Sequence, residues 1–309
     1  MQNYQVTDKD FAEAMARREK SKKIIPAGAY QLDVQDYFDY RKDTSKHIHL
    51  PFSRMNNYFD LRKGELSLIA GFNGHGKSLL TNQFVLKLLK EGHHVAIASL
   101  EMPVRVTLGR MCSQYTKENY PDLERIKQYF DAVEHLYMFD HVGSVTPEII
   151  FTAVELAHSR YDVNYFVIDS FMRCGIDQDG WDWQTKQKQF IEDLCSLCKS
   201  TGMHIFLVLH MRKPETGKNA NEENLPNKYD IKGSGSIVDQ ADNIFIFWRN
   251  RKKEQMLKEN DFAAHEKPDA LFALVKQREG TGEECMVSLK YNNEGKYYTE
   301  WNNAEEIPL

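Results

Sequence analysis

The chain has 309 residues, enough for one large domain or two small ones. Hydrophobic residues make up 41% and charged residues 28% of the chain, and no apolar run approaches the roughly 20 residues of a membrane helix, so disordered, fibrous and membrane-spanning classes are excluded. The formal net charge of -5 provides no overall attraction for nucleic acid or anionic lipid, so such binding requires a local basic patch.

The N-terminal stretch predicts a helical arm. Its opening residues lack the basic and apolar regions of a secretory signal, and an odd number of cysteines favours reduced thiols, so we expect a cytoplasmic protein. Residues 7–23 begin with a Thr and Asp capping pattern and end in a run of Arg and Lys, which favours a helix. This helix has few apolar residues, so it either stays loosely attached or docks on another surface. We expect an arm at 1–55 and a main domain at 56–309, while residues 24–60 give no clear pattern.

From residue 64 onward, short apolar runs alternate with amphipathic helical patterns. Repetition of strand, helix and strand predicts an α/β fold with a mainly parallel central sheet flanked by helices. A long polar stretch at 212–235 interrupts this order, and a connection of that length is usually functional or disordered. The predicted strands are 65–71, 94–102, 165–170, 204–211, 243–248 and 270–275, with helices at 78–92 and 186–202 and helical stretches from 104 to about 158.

Residues 71–78 match the phosphate-binding motif G-x-x-x-x-G-K-[ST], between a predicted strand and a predicted helix. Glycines let backbone N–H groups curl around an anion, and the helix N-terminus adds positive potential. Lys77 is expected to reach the β- and γ-phosphates, and the Ser78 hydroxyl to bind Mg²⁺. A glycine-rich turn without a ligand is the alternative, but a chance match with both flanks is rare, so we expect ATP or another NTP or dNTP with Mg²⁺. The glycines of the motif are Gly71, Gly74 and Gly76.

Three other predicted strands end in polar side chains. Asp169 closes the apolar run YFVID and is the expected second anchor for Mg²⁺ beside a P-loop. Glu101 ends the run HVAIASLEM and is a candidate for polarising an attacking water. His210 closes the run HIFLVLH at the same predicted edge, where ligands bind in α/β folds. Each of the three would otherwise be an ordinary cap or surface residue.

Six stretches occur in one order along the chain: the P-loop at 71–78, SLEM at 99–102, YFVIDS at 165–170, LHMRKPETGK at 209–218, DIKGSGSIVDQADN at 230–243 and VKQREG at 275–280. Together they resemble the motifs of the DnaB-like ring helicase family, which has a RecA-like P-loop core. The likeness covers about residues 60–300. Around His210 to Arg249 the sequence most resembles the helicase half of the bacteriophage T7 gene 4 protein and mitochondrial Twinkle helicase, so a phage-encoded protein is expected.

The resemblance implies a usually hexameric, NTP-driven DNA helicase that moves 5′ to 3′ along single-stranded DNA and unwinds duplex. In that pattern Lys77, Ser78 and Asp169 hold the magnesium nucleotide. Glu101 is the catalytic carboxylate, and His210 senses the γ-phosphate.

The resemblance also assigns residues beyond the P-loop edge. Lys276 and Arg278 match a basic pair that enters the neighbouring subunit's site, with Arg278 as the arginine finger. Arg249 and Tyr291 match positions that contact the nucleotide base. For Arg249 and Tyr291, ordinary surface and core packing is the alternative, because base contacts vary within this class.

The polar stretch that follows His210 is the predicted DNA contact. An acidic protein that grips a phosphate backbone must concentrate its positive charge, and this stretch offers several basic residues. A solvated surface loop is the alternative. The residues predicted to bind single-stranded DNA are Arg212, Lys213, Lys218 and Lys232.

The arm and its partners follow from the same resemblance. The helix at 7–23 matches the family's linker helix, which docks on the adjacent subunit and holds the ring together. The residues before the motor contain no cysteine for a zinc ribbon, so primer synthesis is not expected here, and a separate primase, polymerase or loader is an expected partner. Two other functions stay open: a RecA-type recombinase ATPase that forms filaments on single-stranded DNA, and a nucleotide-switched scaffold.

Overall fold

The computed structural model describes residues 26–176, 182–212, 225–233, 235–280 and 282–301. The strands are β1 Leu66–Gly71, β2 Val95–Ser99, β3 Leu136–Phe139, β4 Tyr165–Asp169, β5 His204–His210, β6 Asn243–Arg249, β7 Ala270–Gln277, β8 Cys285–Asn292 and β9 Tyr297–Glu300. They form one sheet in the order β3-β2-β4-β5-β1-β6-β7-β8-β9. β1 to β6 are parallel, and β7 to β9 extend the sheet as antiparallel strands.

The helices are α1 Gln31–Lys42, α2 Lys77–Lys90, α3 Val104–Thr116, α4 Leu123–Ala132, α5 Pro147–Tyr161, α6 Trp183–Thr201, α7 Gly235–Gln240 and α8 Arg251–Lys258. The side chains of α5, α6 and α7 pack on one face of the sheet, and those of α2, α3 and α4 pack on the other. Within the described ranges, no helix combines the length and hydropathy needed to span a bilayer.

Two apolar cores sandwich the sheet because alternate residues of a strand face opposite sides. On β1, Leu68 faces the core that contains α5 and α6, while Ile69 faces the core that contains α2. Every residue of β1 is buried, as expected for a central parallel strand covered on both faces. Strands held in this way fix the position of the loops at their carboxyl ends.

The predicted α/β class and the mainly parallel sheet are confirmed, but one stretch was assigned wrongly. The sequence predicted helical stretches from 104 to about 158, whereas Leu136–Phe139 forms strand β3 inside that range. β3 has four half-buried residues and pairs only with β2, at the edge of the sheet. A strand this short and only partly buried carries no clear period of two, which explains why helical patterns on both sides obscured it.

The segment before β1 packs on the core and was not assigned from the sequence. Leu50, Phe52 and Met55 are buried with the side chains of α2 and β7. The Glu300 carboxylate at the end of β9 accepts the Arg54 N–H at 2.9 Å, which ties this segment to the opposite end of the chain. The predicted boundary between residues 55 and 56 remains a prediction.

Helix α1 lies further out on the arm. None of its residues is buried, although it carries apolar and aromatic side chains. The predicted helix at 7–23 lies outside the described residues, so α1 is the one α-helix in the part of the arm that the structure describes, residues 26–55. Its exposed apolar side chains suit it to contact another surface.

Candidate functional site: a phosphate-binding turn at the carboxyl edge of the sheet

The P-loop connects the end of β1 to the start of α2. The Lys77 ammonium folds back over this turn and donates to the carbonyl oxygens of Gly71 and Phe72 at 2.9 and 3.0 Å. Burial lowers the pKa of Lys77 to about 8, because a desolvated ammonium is disfavoured, while the nearby Asp169 and Glu101 oppose this shift. A bound phosphate would oppose it further, so the turn is suited to an anion.

Two glycines of the motif are required by packing. A Cβ atom on Gly71 would lie 2.3 Å from the Phe247 carbonyl oxygen on β6. Gly76 has a φ of 99°, and its Cβ atom would lie 2.9 Å from the Tyr298 hydroxyl on β9. The turn therefore follows the path that its glycines permit, with a tyrosine of the last strand behind it.

Ser78 and Asp169 meet beneath the turn, where the sequence predicted the Mg²⁺ ligands. The Ser78 hydroxyl donates to an Asp169 carboxylate oxygen. Burial raises the pKa of the Asp169 carboxyl, and the Ser78 hydrogen bond opposes this shift. A hydroxyl and a carboxylate below a phosphate turn are oxygen ligands of the kind that Mg²⁺ prefers, so these residues fit the ion.

A histidine joins the P-loop lysine to the predicted catalytic carboxylate. His210 Nδ1 lies 3.2 Å from Lys77 Nζ, and His210 Nε2 lies 3.1 Å from Glu101 Oε1. An ammonium can only donate, so Nδ1 accepts from Lys77; we therefore assign the ring proton to Nε2, which donates to Glu101. One imidazole thus links the P-loop lysine to Glu101.

Glu101 is held as a carboxylate. Its pKa is lowered to about 2, mainly by the hydrogen bond from His210 and also by the Ser170 hydroxyl, against a desolvation effect that raises it. The Glu101 residue is exposed, so water can reach it. A charged carboxylate beside water and a phosphate turn can accept a proton from that water.

Ser170 was not singled out from the sequence, although YFVIDS contains it. It is fully buried, directly follows Asp169, and donates to Glu101 Oε1. Its position after a strand-end carboxylate was the available signal, but nothing in the sequence linked it to Glu101.

We expect Ser170→Ala to lower the turnover number for nucleotide hydrolysis about tenfold with little change in KM. The variant removes one of two hydrogen bonds that orient Glu101, and a bond to a charged group contributes roughly 1.5–3 kcal/mol. Steady-state phosphate release measures the effect. Ser67→Ala is the matched control, because Ser67 is also buried but bonds His204 near the opposite edge of the sheet. An equal loss in both variants would contradict the prediction.

Arg249 contacts the P-loop through its backbone, and Tyr291 packs on a residue that lies behind it. The Arg249 N–H donates to His75 Nδ1 of the P-loop at 3.0 Å, and its guanidinium pairs with Glu254. The Tyr291 ring lies 5.0 Å from the ring of Tyr298, the residue behind Gly76. The base-contact assignment remains a prediction.

Three contacts with the P-loop were missed from the sequence. Arg251 at the start of α8 donates to the Asn73 carbonyl oxygen at 3.2 Å. The second is the Tyr298 hydroxyl, which lies behind Gly76. The third is made by His75, a P-loop residue whose ring accepts the Arg249 N–H. These contacts join segments that are far apart in sequence, so no local sequence pattern predicts them.

Lys276 and Arg278 lie near the amino ends of the parallel strands, whereas the P-loop lies at their carboxyl ends. Asn243 pairs with Gln277 on one side and with Ser67 near the start of β1 on the other, whereas the P-loop follows the end of β1. Four residues of strand separate the two levels, or about 13 Å at roughly 3.3 Å per residue. Neither side chain joins the P-loop cluster of its own chain.

Both basic side chains contact the carboxyl end of α7 and the residues after it. Lys276 Nζ donates to the Val238 and Asp239 carbonyl oxygens at 2.7 and 2.8 Å. Arg278 Nη1 lies 3.3 Å from Asp242 Oδ1, and the Arg278 side chain is 46% exposed. The guanidinium is thus positioned at the surface, away from its own P-loop.

The predicted DNA residues are only partly described. Lys213 and Lys218 lie outside the described residues. Arg212 Nη2 donates to the Gly233 carbonyl oxygen at 2.7 Å, so this guanidinium joins the two ends of the loop. Lys232 is exposed, and its backbone N–H donates to the His210 carbonyl oxygen at 2.8 Å.

A parallel sheet of this order with a phosphate-binding turn at its carboxyl edge defines the RecA-like P-loop class. The chain belongs to the DnaB-like helicase C-terminal domain family, whose sequence profile matches residues 48–300. The resemblance inferred from the six motifs is therefore confirmed at the level of the family.

Individual relatives are distant. The DNA helicase/primase of Enterobacteria phage T3 is 22% identical over 205 residues, 62% of this chain and 36% of that protein. The replicative DNA helicase DnaB of Helicobacter pylori is 23% identical over 285 residues, 87% of this chain and 56% of that protein. The chain thus spans between about a third and just over half of the length of these curated relatives.

A solved structure supports the same fold. The DnaB-like replicative helicase that was solved to describe its interactions with primase superposes with a TM-score of 0.70 at 13% identity. The superposition covers 94% of this chain and 71% of that chain. At this identity the likeness establishes the fold.

Proposed function

We propose that this chain is the motor of a replicative-type DNA helicase, a ring, most simply a hexamer, that uses NTP hydrolysis to move 5′ to 3′ along single-stranded DNA. One observation carries the proposal. The His210 side chain contacts both Lys77 and Glu101, and its backbone carbonyl accepts the Lys232 N–H of the basic loop. A nucleotide site and a polymer-binding loop that share one residue suit a motor.

Hydrolysis follows from the groups at the carboxyl edge. Lys77 contacts the β- and γ-phosphates, and Ser78 and Asp169 hold Mg²⁺, which neutralises phosphate charge when bound. Glu101 orients the attacking water and accepts its proton. Arg249 and Tyr291 are assigned to the base of ATP or another NTP or dNTP.

Coupling to movement starts at Lys77. When Lys77 turns from His210 toward a γ-phosphate, the imidazole loses its partner at Nδ1 and shifts against Glu101. The His210 carbonyl moves with its residue and carries the Lys232 N–H, so the loop shifts as well. Lys213, Lys218 and Lys232 are assigned to the phosphate backbone of the DNA, and Arg212 to the closing of the loop in addition to DNA contact.

Lys276 and Arg278 are assigned to the site of a neighbouring subunit. Their distance from their own P-loop supports this role, because a site built from one chain would lack an arginine finger. The proposal therefore requires a homo-oligomer in which the edge bearing Arg278 faces the P-loop edge of the next copy.

The arm at 1–55, which contains helix α1, is assigned to subunit contact. Val34 and Phe38 are about half exposed and lie one helical turn apart on α1. Tyr30 and Tyr37 extend the same apolar stripe. A stripe of this kind gains free energy when it docks on another copy.

We expect the double variant Val34→Ser and Phe38→Ser to assemble only at protein concentrations at least about tenfold higher than the wild type. Burial of one such side chain contributes roughly 1.5–3 kcal/mol. Light scattering over a dilution series measures assembly. Phe262→Ser is the control, because Phe262 is 83% exposed but lies outside the arm. Unchanged assembly of the double variant would leave α1 without this role.

The proposed function is tested by strand displacement on forked DNA that carries either a 5′ or a 3′ single-stranded tail. We expect unwinding with Mg²⁺ and NTP only when the 5′ tail is present, and hydrolysis stimulated by single-stranded DNA. Unwinding only from the 3′ tail would indicate movement in the 3′ to 5′ direction and contradict the proposed polarity. Open filaments instead of rings in electron microscopy, without unwinding, would indicate the recombinase function.

The partners follow from the same proposal. A solved relative was studied with primase, and this supports a separate primase as a partner of this chain. A polymerase or a loader is assigned to the same replication complex. A phage-encoded protein that acts in the bacterial cytoplasm fits these partners.

A further inference from the structure

A short turn is fixed against the end of β5, next to His210. The Arg212 N–H donates to the Asp230 carbonyl oxygen at 2.8 Å, and the Lys232 N–H donates to the His210 carbonyl oxygen at 2.8 Å. Residues 228–230 form one turn of 3-10 helix that ends at the first of these anchors, Asp230. The backbone of this turn is thus held in register with the strand that ends at the nucleotide site.

Tyr229 extends from this turn into solvent. Tyr229 is 71% exposed. The Asn227 side chain accepts the Tyr229 N–H, and the Asp230 side chain accepts the Asn227 N–H, each at 2.8 Å. These reciprocal bonds cap the turn, so the aromatic ring projects from a rigid base. An isolated exposed ring is common on protein surfaces, and its surroundings must decide whether it has a role.

Two lysines accompany Tyr229 on this turn and the residues after it. Lys228 Nζ lies 5.8 Å from the centroid of the Tyr229 ring, and the exposed Lys232 follows three residues later. The Asp230 carboxylate is used inside the turn, and Glu284 lies 4.0 Å from Lys228 Nζ on the other side. An exposed aromatic ring with one lysine beside it and a second exposed lysine three residues later matches the chemistry of single-stranded nucleic acid, which offers exposed base faces along a line of phosphates.

We propose that Tyr229 stacks on a base of the single-stranded DNA that passes the carboxyl edge of the sheet. The inference rests on the proposed DNA motor function and adds a base contact to the backbone contacts assigned to the lysines. Because Tyr229 directly precedes the Asp230 anchor, close in the chain to the Lys232 contact with His210, the stacked base moves with the residue assigned to sense the nucleotide. Stacking is tolerant of sequence, since every base has a flat face, so the contact is compatible with movement along any strand.

The test compares two fluorescent oligonucleotides of equal length and equal phosphate number, one oligo-dT and one abasic. Binding is measured by anisotropy with the full chain, Mg²⁺ and a non-hydrolysable ATP analogue, at several salt concentrations. We expect the wild type to prefer oligo-dT. Tyr229→Ala should weaken oligo-dT binding about 5- to 100-fold and lose most of that preference. The slope of log Kd against log salt should not change, because no phosphate contact is removed.

Two further variants make the test specific. Tyr229→Phe keeps the ring and should bind as the wild type does. Tyr120→Ala is the matched control, since Tyr120 is 90% exposed and lies between α3 and α4, and it should bind normally. Unchanged oligo-dT binding by Tyr229→Ala, an equal loss on both oligonucleotides, or an equal loss in Tyr120→Ala would overturn the stacking role. A wild type that binds neither oligonucleotide would overturn the proposed function, and the stacking contact with it.

Discussion

Lys77→Ala is expected to reduce nucleotide hydrolysis at least about 10³-fold, to background, while the protein stays folded. Lys77 is the group positioned to offset charge on the β- and γ-phosphates, and its ammonium also contacts His210. Its loss removes both phosphate stabilisation and the link toward Glu101. The variant leaves the apolar side chains of the two cores unchanged. Phosphate release measures turnover, and circular dichroism with thermal melting measures folding.

Lys87→Ala is the matched control for this variant. Lys87 lies on the same helix, α2, but pairs with Glu91 near the other end. We expect Lys87→Ala to hydrolyse nucleotide as the wild type does. Undiminished turnover in Lys77→Ala would reject the assignment of the P-loop, and a folding defect in that variant would contradict the claim that its role is confined to the site.

Arg278→Ala subunits are expected to inhibit wild-type subunits when the two are mixed. The β6 and β7 register puts Arg278 at the edge opposite its own P-loop, so an arginine finger at this position serves a neighbour. Arginine fingers contribute about 10³- to 10⁵-fold in rate. Each variant subunit therefore disables a wild-type site beside it. Hydrolysis measured across a series of mixing ratios should fall faster than the wild-type fraction.

Arg54→Ala is the control for the mixing experiment. The Arg54 side chain is 51% exposed and lies near the Glu300 carboxylate, so it resembles Arg278 in exposure and pairing. Mixtures with Arg54→Ala should lose no more activity than their composition explains. If mixtures with Arg278→Ala follow strict proportionality, Arg278 does not act in the neighbouring site.

The arrangement of the candidate site was largely predictable because one physical rule governs it. Polar residues at the carboxyl ends of parallel strands meet at one edge, so Glu101, Asp169 and His210 were expected near the P-loop. The structure brings these residues together at that edge. The rule requires only that the strands be recognised as parallel, and strong apolar runs made them recognisable.

The missed features depend on information that local patterns do not contain. Tyr298 reaches Gly76 only because β9 closes an antiparallel extension of the sheet, and the order of those strands was not predicted. Ser170 contacts Glu101 because β2 and β4 are neighbours, whereas β4 follows β3 in sequence. Strand β3 itself is too short and too exposed for a distinct pattern. Neighbour relations between distant segments were therefore the main gap.

The separation of Arg278 from its own P-loop predicts how the proposed motor responds to dilution. One chain carries a phosphate-binding turn at the carboxyl ends of the parallel strands and a basic pair near their amino ends. If Arg278 completes the site of a neighbouring copy, as proposed, the rate of nucleotide hydrolysis is set by pairs of chains and not by single chains. Newly made subunits would hydrolyse almost no nucleotide as single chains, so hydrolysis would begin only when they assemble.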